Sequence, residues 1–150
     1  MTRTSLLLAA CVIAMPAAAN AQSVRQVLAD FGMLGTWATD CNQPSGDNNW
    51  YAIYAGMPNG SVMRTYYNTP DRKKPFSQFT ITQAVRLPSS LLSYSQQGVN
   101  NHERDDVVLM KQGNRYHVWS SVRSDGKVLV KEGKFTSNGD ESPWQTKCGS

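Results

Sequence analysis

The two histidines, His102 and His117, are the side chains of this chain whose rings suit acid–base chemistry near neutral pH. Two histidines are too few for a histidine-rich metal site. Strand alternation puts His117 on one sheet face with Arg115 and Trp119 and predicts a half-exposed strand residue. The sequence contains no nucleophile elbow, P-loop, dinucleotide fingerprint or zinc-protease motif. A hydrolase-type enzyme that uses His102 or His117 with a nearby carboxylate is therefore the third of three functional hypotheses.

The densest group of polar residues is the segment Asn101–Asp106. Glu103, Asp105 and Asp106 carry carboxylates that a divalent cation could bind. Their spacing does not match a calcium-binding loop, and Arg104 can neutralise them. We therefore expect a solvated turn with local salt bridges. The sequence predicts no catalytic residue, no metal site and no cofactor.

Aromatic residues are concentrated on one predicted β-hairpin. Trp50 and Tyr54 share a face of its first strand, and Tyr66 lies on its second strand. If one face of the hairpin packs in the core, the other offers a surface for an apolar ligand or a protein partner. The alternative is that cross-strand aromatic pairs only stabilise the hairpin. The candidate binding residues are Trp50, Tyr54, Tyr66 and Trp119.

Short alternating segments separated by turn residues predict an all-β fold. The predicted strands are 36–41, 50–55, 61–67, 78–87, 91–95, 106–111, 115–123 and 127–136, followed by an extended tail at 143–148. Consecutive strands are too close together for helical crossovers, so we expect an antiparallel meander. About eight strands close into a small barrel. A two-sheet sandwich is the main alternative.

A short helix and a tryptophan precede the aromatic hairpin in the sequence. Apolar residues at i, i+3, i+4 and i+7 predict a helix over 23–31, with Ser23 as its N-cap and Gly32 after its end. Gly35 and Trp37 follow, and Trp37 lies where it can plug the core. We interpret Gly35 and Trp37 as structural residues rather than as part of an active site.

The N-terminus has the features of a secretory signal peptide. Arg3 is basic, the apolar run 6–15 is too short to span a bilayer comfortably, and Ala19-Asn20-Ala21 matches a cleavage site. We predict a signal peptide over 1–21 and a single β-barrel domain over 22–150, without a membrane span after cleavage. The expected location is periplasmic or secreted, in a bacterium. An uncleaved anchor and lipoprotein modification at Cys11 are the alternatives.

Removal of residues 1–21 leaves two of the three cysteines, Cys41 and Cys148. In an oxidising compartment these two should form a disulfide, which would constrain the unfolded chain by about 4–5 kcal/mol. Loss of Arg3 also lowers the formal net charge from +4 to +3. That charge does not indicate a polyanionic partner, so no nucleic acid is predicted. The basic run Arg72–Lys74 is expected in an exposed loop, with contact to an anionic surface as the alternative.

Two resemblances follow from these segments. Gly35-Thr36-Trp37 after a short helix resembles the G-x-W opening of lipocalins and the wider calycin group. This resemblance implies a barrel in which Trp37 closes one end beneath a basic side chain, Lys134 or Lys147. The segments GTWATDC, NNWYAIYA, YHVWSSVRSDGK, EGKF and SPWQTKC are similar to a group of small periplasmic proteins from alphaproteobacteria. That similarity implies a location in the bacterial envelope and carries no activity.

The leading functional hypothesis is a non-enzymatic binding protein. It would hold a small apolar ligand, or dock on an envelope protein, through the barrel mouth or the aromatic hairpin. The second hypothesis is an inhibitor of a lytic or proteolytic enzyme, which would present the loop 42–49 or the loop 68–77. A hollow, apolar barrel interior would favour ligand binding, whereas a filled interior would favour contacts at the surface.

Overall fold

Ten antiparallel strands and one short helix make up the computed structural model, which describes residues 22–149. The signal peptide predicted for residues 1–21 lies outside the described residues. In chain order the elements are α1 (Val24–Asp30), β1 (Gly35–Ala38), β2 (Tyr51–Gly56), β3 (Val62–Tyr67), β4 (Ser77–Leu87), β5 (Leu91–Gly98), β6 (Arg104–Gln112), β7 (Arg115–Arg123), β8 (Val128–Lys131), β9 (Lys134–Phe135) and β10 (Gln145–Cys148).

Eight of these strands close into an antiparallel barrel, which confirms the predicted fold class. Strands β1 to β7 follow one another as a meander, as short turns between strands require. Strand β10 then pairs with both β1 and β7 and completes the wall. Closure of this kind removes the free edges that an open sheet would present.

The strand that completes the barrel is the C-terminal tail, and not the segment 127–136 that we expected to be the eighth strand. That segment is interrupted at Glu132 and Gly133, whose φ angles are 51° and 78°. A left-handed backbone cannot continue an extended strand, so the chain reverses there. The result is the hairpin β8–β9, which pairs with the last residues of β7 beside the barrel.

Two strands extend further than their hydrophobic pattern predicts. Strand β5 continues to Gly98 and β6 begins at Arg104, so half of the polar segment 96–105 between the two predicted strands is strand. Gln96 lies opposite Asp105 in this ladder, and the Gln96 side chain is buried. The sequence shows no alternation of apolar and polar residues in this segment because polar residues such as Gln96 occupy the inward positions.

Helix α1 covers one end of the barrel. Ser23 caps it, since the Gln26 backbone N–H donates to the Ser23 hydroxyl over 3.2 Å. Its buried residues, Val27 and Leu28, belong to the same core as Trp37. The Arg25 backbone N–H donates to the carbonyl of Gly60, which places α1 at the β2–β3 turn. Within residues 22–149, no helix is long and apolar enough to cross a membrane.

Trp37 is fully buried at this closed end. Its indole Nε1 donates to the Met33 carbonyl over 2.8 Å, and its ring meets Tyr116 edge-on at 4.9 Å between centroids. Lys147, rather than Lys134, supplies the basic side chain, with Nζ at 5.6 Å from the Trp37 ring centroid. Gly35 has a φ of 118°, which a residue with a Cβ rarely adopts. These contacts make Gly35 and Trp37 part of the barrel's closure.

The predicted disulfide between Cys41 and Cys148 is present, and its two cysteines are separated by 107 positions along the chain. Cys148 is the last residue of β10, and Cys41 lies in the loop after β1. The bond therefore ties the closing strand to the strand beside it.

We expect the Cys41→Ser/Cys148→Ser double variant to fold into the same barrel with a thermal midpoint lower by on the order of 10 °C. Loss of a cross-link across this loop destabilises by about 4–5 kcal/mol in the chain-entropy model. Thermal unfolding followed by circular dichroism measures this shift. Reduction of the wild-type protein is the control and should give a similar loss, whereas an unchanged midpoint would contradict a stabilising cross-link.

Candidate functional site

The end of the barrel opposite α1 holds a cavity of about 190 Å³, which we call the mouth cavity. It lies where β3 ends and β4 begins, far from the β2–β3 turn that α1 contacts. Its lining is mostly apolar and comes from β3 to β9. The lining residues are Arg64, Tyr66, Phe79, Gln96, Val107, Val118, Ser121, Leu129, Val130 and Phe135.

Arg64 is the one charged residue in this lining. It lies on the same face of β3 as Val62, which is fully buried, so its side chain points into the barrel. Arg64 is 4% exposed. Its Nη1 donates to the Tyr94 hydroxyl over 2.7 Å and to Gln96 Oε1 over 3.1 Å. Its Nε is buried and has no hydrogen-bond partner in the part of the chain that the structure describes.

Aromatic rings surround the guanidinium of Arg64. Its central carbon lies 4.5 Å from the Tyr66 ring centroid, 5.3 Å from that of Tyr54 and 5.9 Å from that of Tyr94. Across residues 22–149 no carboxylate forms an ion pair with it. Cation–π contacts and two neutral acceptors offset part of the lost hydration, but they leave one positive charge without a counter-charge.

Burial disfavours the charged form of Arg64, and the tyrosine hydroxyls around it counter this effect, so that its pKa remains raised. Burial raises the pKa of Tyr54 and of Tyr94 well above the usual value, although Arg64 opposes the shift. Burial likewise raises the pKa of Tyr116 to about 12. At neutral pH the barrel interior therefore contains neutral phenols around a guanidinium cation.

The half of the interior nearest α1 is filled. The Tyr54 and Tyr116 hydroxyls are 3.2 Å apart, and Tyr116 donates to Gln145 Oε1 over 2.6 Å. Trp37 packs edge-on against Tyr116, and both belong to the same core as Tyr54. The barrel is thus neither wholly filled nor wholly hollow, since its closed half is packed and its other half contains the mouth cavity.

Gln96 connects the guanidinium to an acidic residue at the rim. Its Oε1 accepts from Arg64, and its Nε2 donates to Asp105 Oδ2 over 3.3 Å. Asp105 is outside the lining of the mouth cavity and belongs to a separate polar groove. The carboxylate of Asp105 therefore meets the Gln96 amide and not the guanidinium of Arg64.

Exposed aromatic side chains surround the mouth. Trp50 is 44% exposed, Phe76 is 45% exposed, and their ring centroids are 5.1 Å apart in an edge-on contact. Phe135, on β9, lines both the mouth cavity and a second apolar hollow of about 190 Å³ beneath Trp50. Phe135 thus separates two openings at the same end of the barrel.

The four predicted binding residues occupy three different places. Trp50 and Tyr66 lie at the mouth, with ring centroids 6.4 Å apart. Tyr54 is 1% exposed in the packed interior and offers no surface to a partner. Trp119 lies on the outer side of β7 next to His117, with 6.1 Å between ring centroids. The hairpin therefore brings only Trp50 and Tyr66 together at one accessible place.

His117 is 4% exposed, so the expectation of a half-exposed residue is wrong. Its ring stacks on Trp144 at 4.0 Å between centroids, and Nδ1 lies 3.2 Å from the Ser142 hydroxyl. Ser142 donates its proton to the Val118 carbonyl over 2.6 Å, so it accepts from Nδ1. A serine that is 1% exposed and donates to a carbonyl is neither reachable nor activated as a nucleophile.

The other polar candidates are separated from one another. His102 has a φ of 57° in an exposed turn, and no hydrogen bond within residues 22–149 joins either histidine to a carboxylate. Glu103 forms a salt bridge with Arg123 at 3.4 Å. Asp106 accepts from Ser95, on the opposite face of β6 from Asp105. The described residues contain no group of three or more side chains that could hold a metal ion.

Binding at the barrel mouth was expected, but of the residues that line the mouth cavity only Tyr66 was predicted. The sequence did not predict Arg64, which lies at the bottom of the cavity, or most of the residues that form its walls. The available signal was that the charged Arg64 shares a strand face with Val62 and Tyr66. This signal did not show which face of β3 points inward, because the opposite face contains Met63, Thr65 and Tyr67 and is about as apolar.

Comparisons with known proteins found no similarity to this chain. No family model matches it, and neither a curated protein nor a solved structure matches it. The resemblances to lipocalins and to small periplasmic proteins therefore remain predictions.

We expect the wild-type protein to lose stability as the pH falls below about 6.5, in part through His117. Burial lowers the pKa of His117, with Glu141 and the Ser142 contact opposing the shift. Between the lowered folded value and the unfolded value of 6.5, the unfolded chain binds more protons, so acid favours unfolding.

The measurement is the urea-unfolding free energy of wild type and His117→Gln between pH 7.5 and about 5. The stability of His117→Gln should fall less over this interval. His102→Gln is the control and should follow the wild type, because that ring is exposed. Equal pH dependence in wild type and His117→Gln would contradict the assignment.

Proposed function

We propose that the protein is a non-enzymatic binding protein that takes a small apolar ligand into the mouth cavity. The observation that carries the proposal is the combination of a packed closed half and an apolar hollow of about 190 Å³ at the other end. Concave apolar sites with a few placed polar groups are typical of small-molecule sites. Here Arg64, Gln96 and Ser121 are such polar groups.

The size of the mouth cavity limits its occupant. Sites for drug-sized molecules usually measure about 300–1,000 Å³, so this cavity suits a slender chain or a single ring. Trp50, Phe76 and Phe135 extend the apolar surface outward from the opening. An envelope protein that inserts one apolar side chain would use the same opening, which makes such a partner the alternative occupant.

The proposal includes a periplasmic or secreted location in a bacterium. A disulfide between Cys41 and Cys148 is a feature of proteins from oxidising compartments. The predicted signal peptide leads to the same location. The proposed relationship to lipocalin-like barrels is supported by the position of Trp37 beneath Lys147 at the closed end.

The test is isothermal titration of the protein with octanoate, 1-octanol and octylamine, which share one slender tail. At least one of them should bind at a single saturable site. Val118→Phe should weaken this binding by about tenfold or more, because the larger side chain takes up part of the cavity. Tryptophan fluorescence, to which Trp50 at the rim contributes, offers a second readout.

Val85→Phe is the matched control, since Val85 is 54% exposed on β4 and lies outside the cavity. It introduces the same additional volume and should leave binding unchanged. Absence of saturable binding by all three compounds would contradict ligand binding in the mouth cavity. Equal weakening by both variants would place the site elsewhere.

A further inference from the structure

Building on the proposed function, we propose that the ligand is a monocarboxylic acid whose carboxylate binds the guanidinium of Arg64 while its apolar tail extends towards the mouth. The argument depends on which donors of Arg64 are in use, on the charge of the cavity, and on the order of polar and apolar groups along it.

Arg64 makes no hydrogen bond through one edge of its guanidinium within residues 22–149. Both bonds that it makes within residues 22–149 start at Nη1, to Tyr94 and to Gln96. Nε is buried without a partner, although a buried donor is normally paired. A carboxylate binds an arginine through two parallel N–H donors, and the Nε–Nη2 edge presents such a pair.

The charge of the cavity selects a single negative charge. Arg64 is the one charged residue among those that line it, and Asp105 is separated from Arg64 by the Gln96 amide. A monoanion would neutralise this site, whereas a cation would add to the uncompensated positive charge. A phosphate monoester would bring more negative charge than the lining can balance.

The arrangement of the lining gives the ligand its orientation. Arg64, Gln96 and the Tyr94 hydroxyl lie together at the base. Val118, Leu129, Val130 and Phe135 form apolar walls, and exposed Trp50 and Phe76 continue them outside. A molecule with one charged end and one apolar end matches this order, with the charged end inside.

The experiment compares octanoate with 1-octanol, which differ in the head group and share the tail. At pH 7.5 the wild-type protein should bind octanoate about tenfold or more tightly than 1-octanol, as expected for a charge-assisted pair of hydrogen bonds. Octylamine should bind more weakly than 1-octanol. In Arg64→Met the preference for octanoate should disappear, with 1-octanol still bound.

Arg86→Met is the matched control. Arg86 lies on β4 near Phe31 at the closed end, so the variant removes the same charge far from the mouth cavity. It should retain the preference for octanoate. Loss of the preference in both variants would indicate an effect of net charge and would overturn the assignment to Arg64.

The outcomes separate this inference from the function on which it rests. If none of the three compounds binds, the proposed function fails. If 1-octanol binds as tightly as octanoate to the wild type, ligand binding stands and the carboxylate site is wrong. If Arg64→Met keeps the preference, the carboxylate is held by another residue.

A measurement on the wild-type protein covers the case in which Arg64→Met does not fold. Octanoate labelled with carbon-13 at its carboxyl carbon reports its own ionisation by NMR. A carboxylate paired with Arg64 should have a bound pKa lower than that of octanoate in solution. An unchanged or raised pKa of the bound carboxyl group would overturn the proposal.

Discussion

Closure of the barrel by β10 is the constraint on which the rest of the structure depends. This four-residue strand pairs with β1 on one side and with β7 on the other, and Cys148 bonds to Cys41. It also contributes Lys147 to the cover over Trp37 and Gln145 to the buried hydroxyl network. Without β10 the strands would form an open sheet, and the side chains that now face one another would face solvent. A strand this short gains from a covalent link, since its own ladder is small.

The closed wall makes it possible to keep a charge inside the protein. Arg64 is held by Tyr94 and Gln96 and surrounded by rings, all of which come from neighbouring strands of the same wall. Its Nη1 donates to both Tyr94 and Gln96, whereas no carboxylate within residues 22–149 forms an ion pair with the guanidinium. Such an arrangement is unfavourable to stability compared with an apolar side chain of similar volume. A binding role for the guanidinium would account for its presence.

The hairpin β8–β9 turns this interior into a one-sided cavity. Strand β7 pairs with β10 near its start and with β8 near its end, so the second half of β7 supports a flap of chain outside the barrel wall. Leu129, Val130 and Phe135 from this hairpin supply part of the cavity's apolar lining. The expected eighth strand was thus replaced by an element that shapes the mouth. The change stems from the left-handed backbone at Glu132 and Gly133, which apolar periodicity does not report.

The sequence by itself determined the meander, the short capped helix, the buried Trp37 and the pairing of Cys41 with Cys148, because these follow from local periodicity, turn residues and the number of cysteines. It also located the aromatic hairpin, of which Trp50 and Tyr66 reach the mouth. Only the tertiary structure decided which strand closes the barrel and which face of β3 points inward. Alternation defines two faces with equal clarity, and the inner one is chosen by contacts with residues distant in sequence, such as Tyr94 and Gln96 against Arg64.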